Sequence, residues 1–293
     1  MKRAVLVGIN NYAQAPLRGC VNDCLLIHKV LTEKFDFKHE NIYLLLDEDA
    51  TKEKILKRLR TIARKSEPGD TLYFHYSGHG SQVVVNDKTK STESDGLDEI
   101  LCPYDFDWNN PLRDNDLNDI ISEIPKGVLN LFVLDCCHSG TGLRNTWKSP
   151  DILSSENDWV NRFMPPPPSN LLRDSFITLD DDLNFVPNKA IKPDTQFLVH
   201  TIDQGNAILI SGCRDNQVSA DAWIGGRYHG ALTYALVNVL KQRNYNVTLR
   251  DLIIQTNNEL KAGRFTQEPQ LECKKEFFDD KFLILKKKKK MKK

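Results

Sequence analysis

A mainly parallel α/β sheet is the fold class that this sequence predicts, on three observations. Short apolar runs alternate along the chain with segments of helical period. Strands separated by helices imply right-handed crossovers, and therefore parallel pairing. The length also suits such a domain: 293 residues, 40% of them hydrophobic with 13 Phe, 8 Tyr and 4 Trp, carry enough apolar mass for a large core.

The elements follow in order. Ala4-Val-Leu-Val-Gly-Ile9 reads as a buried strand, and Val21 to Phe35 as a helix with Leu25, Leu26, Ile27, Val30 and Leu31 near one face. Ile42-Tyr-Leu-Leu-Leu46 is a second strand. Thr51 can N-cap a helix reaching about Lys65, whose apolar side is Ile55, Leu56, Leu59 and Ile62. Gly69-Asp70 precedes a third strand, Thr71 to Tyr76. A helix from about Asn115 to Glu123 precedes a fourth, Val128 to Leu134. The rhythm breaks from about Gly140 to Gly205, where Pro165-Pro-Pro-Pro168 and Asp180-Asp-Asp182 suggest an insertion or processing loop. Order returns with a fifth strand, Ala207 to Ser211, then helices at about Ala231 to Gln242 and, capped by Thr248, Leu249 to Lys261. Phe282-Leu-Ile-Leu285 is expected as the last strand. The chain thus divides into 1–140, an insertion at 141–205, a second structured region at 206–285, and a basic tail at 286–293.

Charge narrows the function classes. Lys+Arg and Asp+Glu both number 40, but the last eight residues hold seven lysines, and removing them leaves 33 basic residues against 40 acidic ones. The protein reads as an acidic globule with a basic tail. A solvated end is the plain reading of that tail; attachment to nucleic acid or an anionic membrane has no interleaved aromatic residues to support it, so neither partner is assigned. Composition excludes collagen, coiled coil and wholesale disorder. No run of 18 apolar residues exists, and Ala4 to Ile9 is too short for a signal-peptide core. Seven cysteines without framework spacing suit a reducing compartment, so a cytoplasmic monomer is expected.

In open parallel sheets, functional groups gather beyond the carboxyl ends of strands. The third strand ends in Ser77-Gly-His79-Gly80-Ser, and the fourth in Asp135-Cys136-Cys137-His138-Ser-Gly. A thiol and an imidazole on neighbouring strand ends make a cysteine nucleophile and its base, because imidazolium lowers the thiol pKa and the thiolate attacks. The amides of Gly80 and Cys137 are candidate donors to an oxyanion. A buried cysteine pair beside a loop histidine is the simpler alternative. Zinc is disfavoured: adjacent residues on extended chain point to opposite faces, so Cys136, Cys137 and His138 make a poor tetrahedral set.

Tyr76-Ser-Gly-His-Gly-Ser81 and Asp135-Cys-Cys-His-Ser-Gly140 resemble the two catalytic motifs of the metacaspases, caspase-like cysteine peptidases. Ala4 to Tyr12, Leu17-Arg-Gly-Cys-Val-Asn-Asp23, Asp95-Gly-Leu-Asp-Glu99 with Pro103-Tyr-Asp105, Ser211 to Asp221, and Gly230-Ala-Leu-Thr233 resemble further family segments in the same order. The resemblance covers residues 1 to about 140 and 205 to 285. It implies a caspase-like three-layer α/β/α sandwich with a mainly parallel six-stranded sheet, on which 1–140 is the large-subunit region and 206–285 the small-subunit region. It makes Cys137 the nucleophile and His79 the general base of an endopeptidase, and it puts Cys20, Asp23, Ser77 and Asp135 in the pocket for the residue before the scissile bond. Carboxylates in a dehydrated pocket favour a guanidinium or ammonium, so cleavage after Arg or Lys of protein or peptide substrates is expected. Asp23 read alone is equally an acid at a helix N-terminus.

Ten acidic residues lie between Asp87 and Asp119, opposed by Lys88, Lys90 and Arg113. Such a concentration can coordinate Ca2+. The resemblance places Asp98 and Asp114 on ligand positions, whereas Asn115 and Arg144 stand where it calls for acids. The long loop carries Arg144, Lys148, Arg162, Arg173, Lys189 and Lys192, which a peptidase of basic preference can cut in itself. Two rivals stand beside this reading: a related peptidase with another trigger or specificity, and a non-catalytic interaction module of the same fold.

Overall fold

A computed structural model describes residues 1–84, 97–137, 159–164, 177–179, 185–187, 207–214 and 217–284. Arg144, Lys148, Arg173, Lys189 and Lys192, the acidic residues Asp87, Glu93 and Asp95, the tetraproline, Asp180-Asp-Asp182 and the lysine tail fall outside the described residues.

Six strands form the central sheet: β1 (Lys2–Gly8), β2 (Ile42–Leu46), β3 (Thr71–Ser77), β7 (Leu129–Asp135), β11 (Ala207–Ser211) and β14 (Gln270–Glu272). Their order is β14-β11-β7-β3-β1-β2, parallel throughout except where β14 meets β11. Both faces are covered, which is why the inner strands are continuously apolar rather than alternating. Helices α2 (Lys52–Arg64) and α3 (Asp114–Ser122) pack over Val5, Val7, Phe74, Phe132 and Leu134 on one face. Helices α1 (Cys20–Lys34), α4 (Ala231–Gln242) and α5 (Leu249–Ala262) pack over Leu6, Tyr73, Leu131, Val133 and Ile208 on the other.

The expected caps form. Thr51 Oγ1 accepts from the Lys54 amide at 3.3 Å, and Thr248 Oγ1 from the Asp251 amide at 3.1 Å. Helix α1 approaches β1 closely at Gly8, where any Cβ would collide with the Cys20 carbonyl and the Cys24 sulfur.

Two expectations need correction. Leu25 is half-exposed, because the buried face of α1 is Cys24, Ile27, Val30 and Leu31. Phe282 to Ile284 do not form a strand: Lys281 and Ile284 bridge across a turn in which Leu283 has a φ of 53°, and Phe282 and Leu283 plug the core beneath α1 and α5, while Leu285 lies outside the described residues. The sixth strand is instead β14, which has no continuous apolar run because it lies at the edge.

Two small antiparallel sheets sit at the carboxyl end of the large one. One joins β4 (Gly80–Val84), β5 (Leu97–Leu101) and β6 (Leu112–Arg113); the other joins β8 (Trp159–Asn161), β12 (Ala220–Ile224) and β13 (Arg227–Gly230). Strand β8 lies inside the segment read as an insertion, as do β9 (Ile177–Leu179) and β10 (Phe185–Pro187), an antiparallel pair.

Candidate active site

Parallel register brings the two motifs together. Ser77 on β3 is paired with Asp135 on β7, so the residues two places on, His79 and Cys137, leave the sheet side by side. Chain reversal adds the third wall: β1 is flanked by β2 and β3, and the crevice beyond its end receives the first turn of α1 with Cys20 and Asp23.

His79 is buried and held by three contacts. Its Nε2 lies 2.7 Å from the Ala15 carbonyl, which can only accept, so Nε2 carries the proton and Nδ1 keeps its lone pair. Among the described residues Nδ1 has no hydrogen-bond partner. The His79 amide donates to the Tyr12 hydroxyl at 3.0 Å, and the two rings meet at 4.6 Å between centroids. Burial, with a smaller opposing contribution from the Ala15 carbonyl, brings the imidazole pKa down to about 4. The ring is therefore neutral, as a base must be. Cys137 is fully buried, and its sulfur accepts from the Ser219 amide at 2.6 Å; a thiolate strengthens such a contact.

Between them sits a residue of the chain itself. Arg162 follows β8 and is completely buried. Its carbonyl oxygen accepts from the Gly80 amide at 3.2 Å and from the Cys137 amide at 3.1 Å, the two donors expected for an oxyanion. Its guanidinium enters the acidic pocket. Nη2 donates to Asp23 Oδ2 and to Asp221 Oδ1, both at 2.8 Å, while Nη1 donates to Ser77 Oγ at 2.7 Å and to the Asp135 carbonyl at 3.1 Å. Burial alone lowers the Arg162 pKa, but Cys20, Asp135, Asp23 and Asp221 reverse that and carry it well above its ordinary value.

The segment lies as an extended ligand lies. Upstream, β8 pairs antiparallel with β12, and the Arg162 amide donates to the Ser219 carbonyl at 3.0 Å. Downstream, the Met164 amide donates to the Gly80 carbonyl at 2.9 Å, and Ser81 Oγ donates to the Met164 carbonyl at 2.7 Å. The Arg162–Phe163 peptide bond thus crosses the site with both flanks paired.

Each expected pocket residue is found here, with roles more distinct than their spacing implied. Besides Arg162, Asp23 accepts from Ser77 Oγ at 2.7 Å and from the Gly230 amide at 3.0 Å, and it faces His229 Nδ1 at 3.0 Å. Burial raises its pKa against the lowering influence of Arg162. Cys20 is a buried thiol beside this group, its pKa raised well above normal by burial. The Asp135 carboxylate is mostly engaged elsewhere, by the Thr233 hydroxyl at 2.6 Å and amide at 2.9 Å, and stands 3.4 Å from Nη1. Three contributors were missed from sequence. Asp221 supplies a pocket carboxylate from the far side of the chain, Tyr12 positions His79, and Arg162 is an occupant rather than one of six equivalent loop cations. Only the segment Ser211 to Asp221 signalled Asp221, and then merely by resemblance.

The two expected metal residues sit on different elements, Asp98 on β5 and Asp114 in the first turn of α3. Among the described residues no three His, Cys, Asp or Glu side chains are grouped to hold an ion. Asp114 Oδ1 accepts the Asn115 amide at 2.7 Å in the first turn of α3. Asp105 accepts the Lys52 amide at 2.8 Å, and Asp116 pairs with Lys52 Nζ at 3.2 Å. These acids serve helix starts, and Asp98 is placed by its backbone on β5 opposite Val83.

The metacaspase peptidase C14 domain profile matches residues 2–145. The chain is 32% identical to Metacaspase-1 of Eremothecium gossypii, aligned over 93% of its own length and 64% of that protein's. It is 31% identical to Metacaspase-1 of Candida glabrata, over 92% of this chain and 72% of the other. It therefore spans a little under two thirds of the first of these relatives. Two solved structures share the fold: a Geobacter sulfurreducens protein (TM-score 0.62, 23% identity, 96% of this chain and 97% of that one) and caspase-1 of Spodoptera frugiperda (TM-score 0.55, 12% identity, 93% and 86%). A caspase-like sandwich, the paired histidine and cysteine motifs and these relatives agree, and the chain belongs to the metacaspase family.

Proposed function

We propose that this protein is a cysteine endopeptidase that cleaves after Arg or Lys, and that its own Arg162–Phe163 bond is its first substrate. One observation carries the reading: Arg162 sets its guanidinium among Asp23, Asp221 and Ser77 while its carbonyl oxygen meets the Gly80 and Cys137 amides.

The reaction is acyl transfer. Cys137 gives its proton to His79 Nδ1 and its sulfur attacks the carbonyl carbon of the basic residue. The oxyanion that forms is held by the Gly80 and Cys137 amides, preorganised because both leave rigid strand ends. His79 passes the proton to the departing nitrogen as the C–N bond breaks, leaving a thioester on Cys137. Water, deprotonated by His79, then releases the new carboxyl terminus and regenerates the thiol. Until the segment leaves, Arg162 excludes other basic side chains, so the uncut chain restrains itself. For calcium we propose a role as trigger only, received by acidic residues around Asp98, with no bond made or broken through it.

Intact mass measured on wild type beside Cys137→Ala tests self-cleavage. Fragments 1–162 and 163–293 are expected from wild type, absent from Cys137→Ala, and absent after Arg162→Gln. Arg, Lys and Asp fluorogenic peptides then test the pocket. Faster cleavage of the Asp peptide overturns the basic preference, and intact wild type together with no cleavage of any peptide favours a non-catalytic module.

A further inference from the structure

Resting on that reading, we propose that the site also selects an aromatic side chain three residues before the basic one, through an apolar shelf between β12 and the ends of α4 and α5. Strand alternation explains how the chain's own segment is read. Arg162 and Val160 point to one face of β8, with Val160 largely in solvent, while Trp159, Asn161 and Phe163 point to the other. Trp159 lies opposite Ala222 and packs on a cluster made by Ala220, Ala231, Ala235 and Leu260, beside Ile224 and Phe265.

The shelf is a surface suited to one class of side chain. Ala220 on β12 and Ala231 and Ala235 on α4 are small, which lets a ring lie against them, and Ile224 and Phe265 pack against the same cluster. Trp159 is half-buried against these apolar side chains, and none of them offers a hydrogen-bond partner, so an acidic or basic residue in its place loses hydration without pairing with them. The same segment places Phe163, the residue after the scissile bond, in an apolar group with Cys137, Cys213 and Val218. The substrate class that matches is an extended segment with an aromatic residue, two variable residues, Arg or Lys, then an apolar residue, added as an antiparallel strand to the edge of β12 that β8 occupies in the uncut chain.

Internally quenched peptides containing Trp-Val-Asn-Arg-Phe-Met, Ala-Val-Asn-Arg-Phe-Met and Asp-Val-Asn-Arg-Phe-Met, assayed on protein already cut after Arg162, test the shelf. The Trp peptide is expected to show a kcat/KM roughly tenfold or more above the Ala peptide, with the Asp peptide lowest, because one buried apolar contact discriminates by about that factor. Phe265→Ala should bring the Trp-to-Ala ratio towards one, whatever its effect on overall rate. Equal rates on the three peptides overturn the shelf and leave the basic preference standing. Failure to cut any of the three by protein that still cleaves a short Arg peptide overturns the shelf alone, and failure on the Arg peptide as well overturns the basic preference.

Discussion

Asp221→Asn isolates the pocket carboxylate that comes from the second half of the chain. Asp221 is buried, and its Oδ1 stands 2.8 Å from Arg162 Nη2. Asparagine keeps the shape and one acceptor but removes the charge, so the loss is that of a charge-assisted hydrogen bond in a dehydrated site. Such bonds contribute about 1.5–3 kcal/mol net, and the burial here argues for the upper half, about 2–3 kcal/mol. At 1.36 kcal/mol per decade this is about a 30- to 150-fold fall in kcat/KM for an Arg peptide. Asp221 also accepts the Arg18 amide at 2.7 Å and the Gly19 amide at 3.0 Å, where α1 begins, so damage to structure must be separated from loss of charge recognition. A peptide with citrulline in place of Arg does so, because citrulline is a neutral isostere. On an Arg162→Ala background the Arg peptide should lose most of its advantage over citrulline, while the citrulline rate changes little. An equal fall on both peptides, or no fall on Arg, refutes the assignment.

Further expectations follow from the same geometry. Gly230→Ala places a methyl against the Asp135 carboxylate and the Arg162 guanidinium, so self-cleavage and hydrolysis of Arg peptides should both be lost; normal rates would show that the pocket has room the structure denies. Tyr12→Phe removes the hydroxyl that accepts the His79 amide at 3.0 Å and should lower kcat while sparing the preference for Arg over citrulline; a selective loss of that preference would contradict a positioning role. Burial brings both His75 and His79 down to about 4, below their unfolded value, so the unfolded chain binds more protons between about pH 6.5 and 4. Stability is then fully present above about pH 6.5 and falls with pH through that window, by at most about 1.4 kcal/mol per pH unit per histidine; urea midpoints that stay level from pH 7 to 4.5 would refute it. Equal self-cleavage rates with calcium and with chelator would remove calcium as the trigger.

The local elements and the chemistry at two strand ends were legible in the sequence for a physical reason. Continuous apolar runs announce parallel strands buried on both faces, Thr51 and Thr248 announce helix starts, and His79 and Cys137 stand within two residues of strand ends. Period alone could not rank the faces of α1, where Leu25 and Cys24 compete for one direction, nor recognise an edge strand such as β14, whose backbone pairing rather than apolar content keeps it in the sheet. The pocket was half legible. Asp23, Ser77 and Asp135 lie in recognisable motifs, but Asp221 joins Asp23 on the Arg162 guanidinium only because β12 folds back over the start of α1, which gathers carboxylates 198 positions apart around one cation. Arg162 was one basic residue among six in the loop until pairing of β8 with β12 aligned it. Strand pairing satisfies backbone amides whatever the side chains are, so it leaves little trace in composition. Sequence by itself determined a parallel α/β domain with a thiol and an imidazole on neighbouring strands. Only the tertiary structure decided that three aspartates from distant segments share one cavity, and that the chain's own arginine fills it, because a buried cation is stable only where such partners converge.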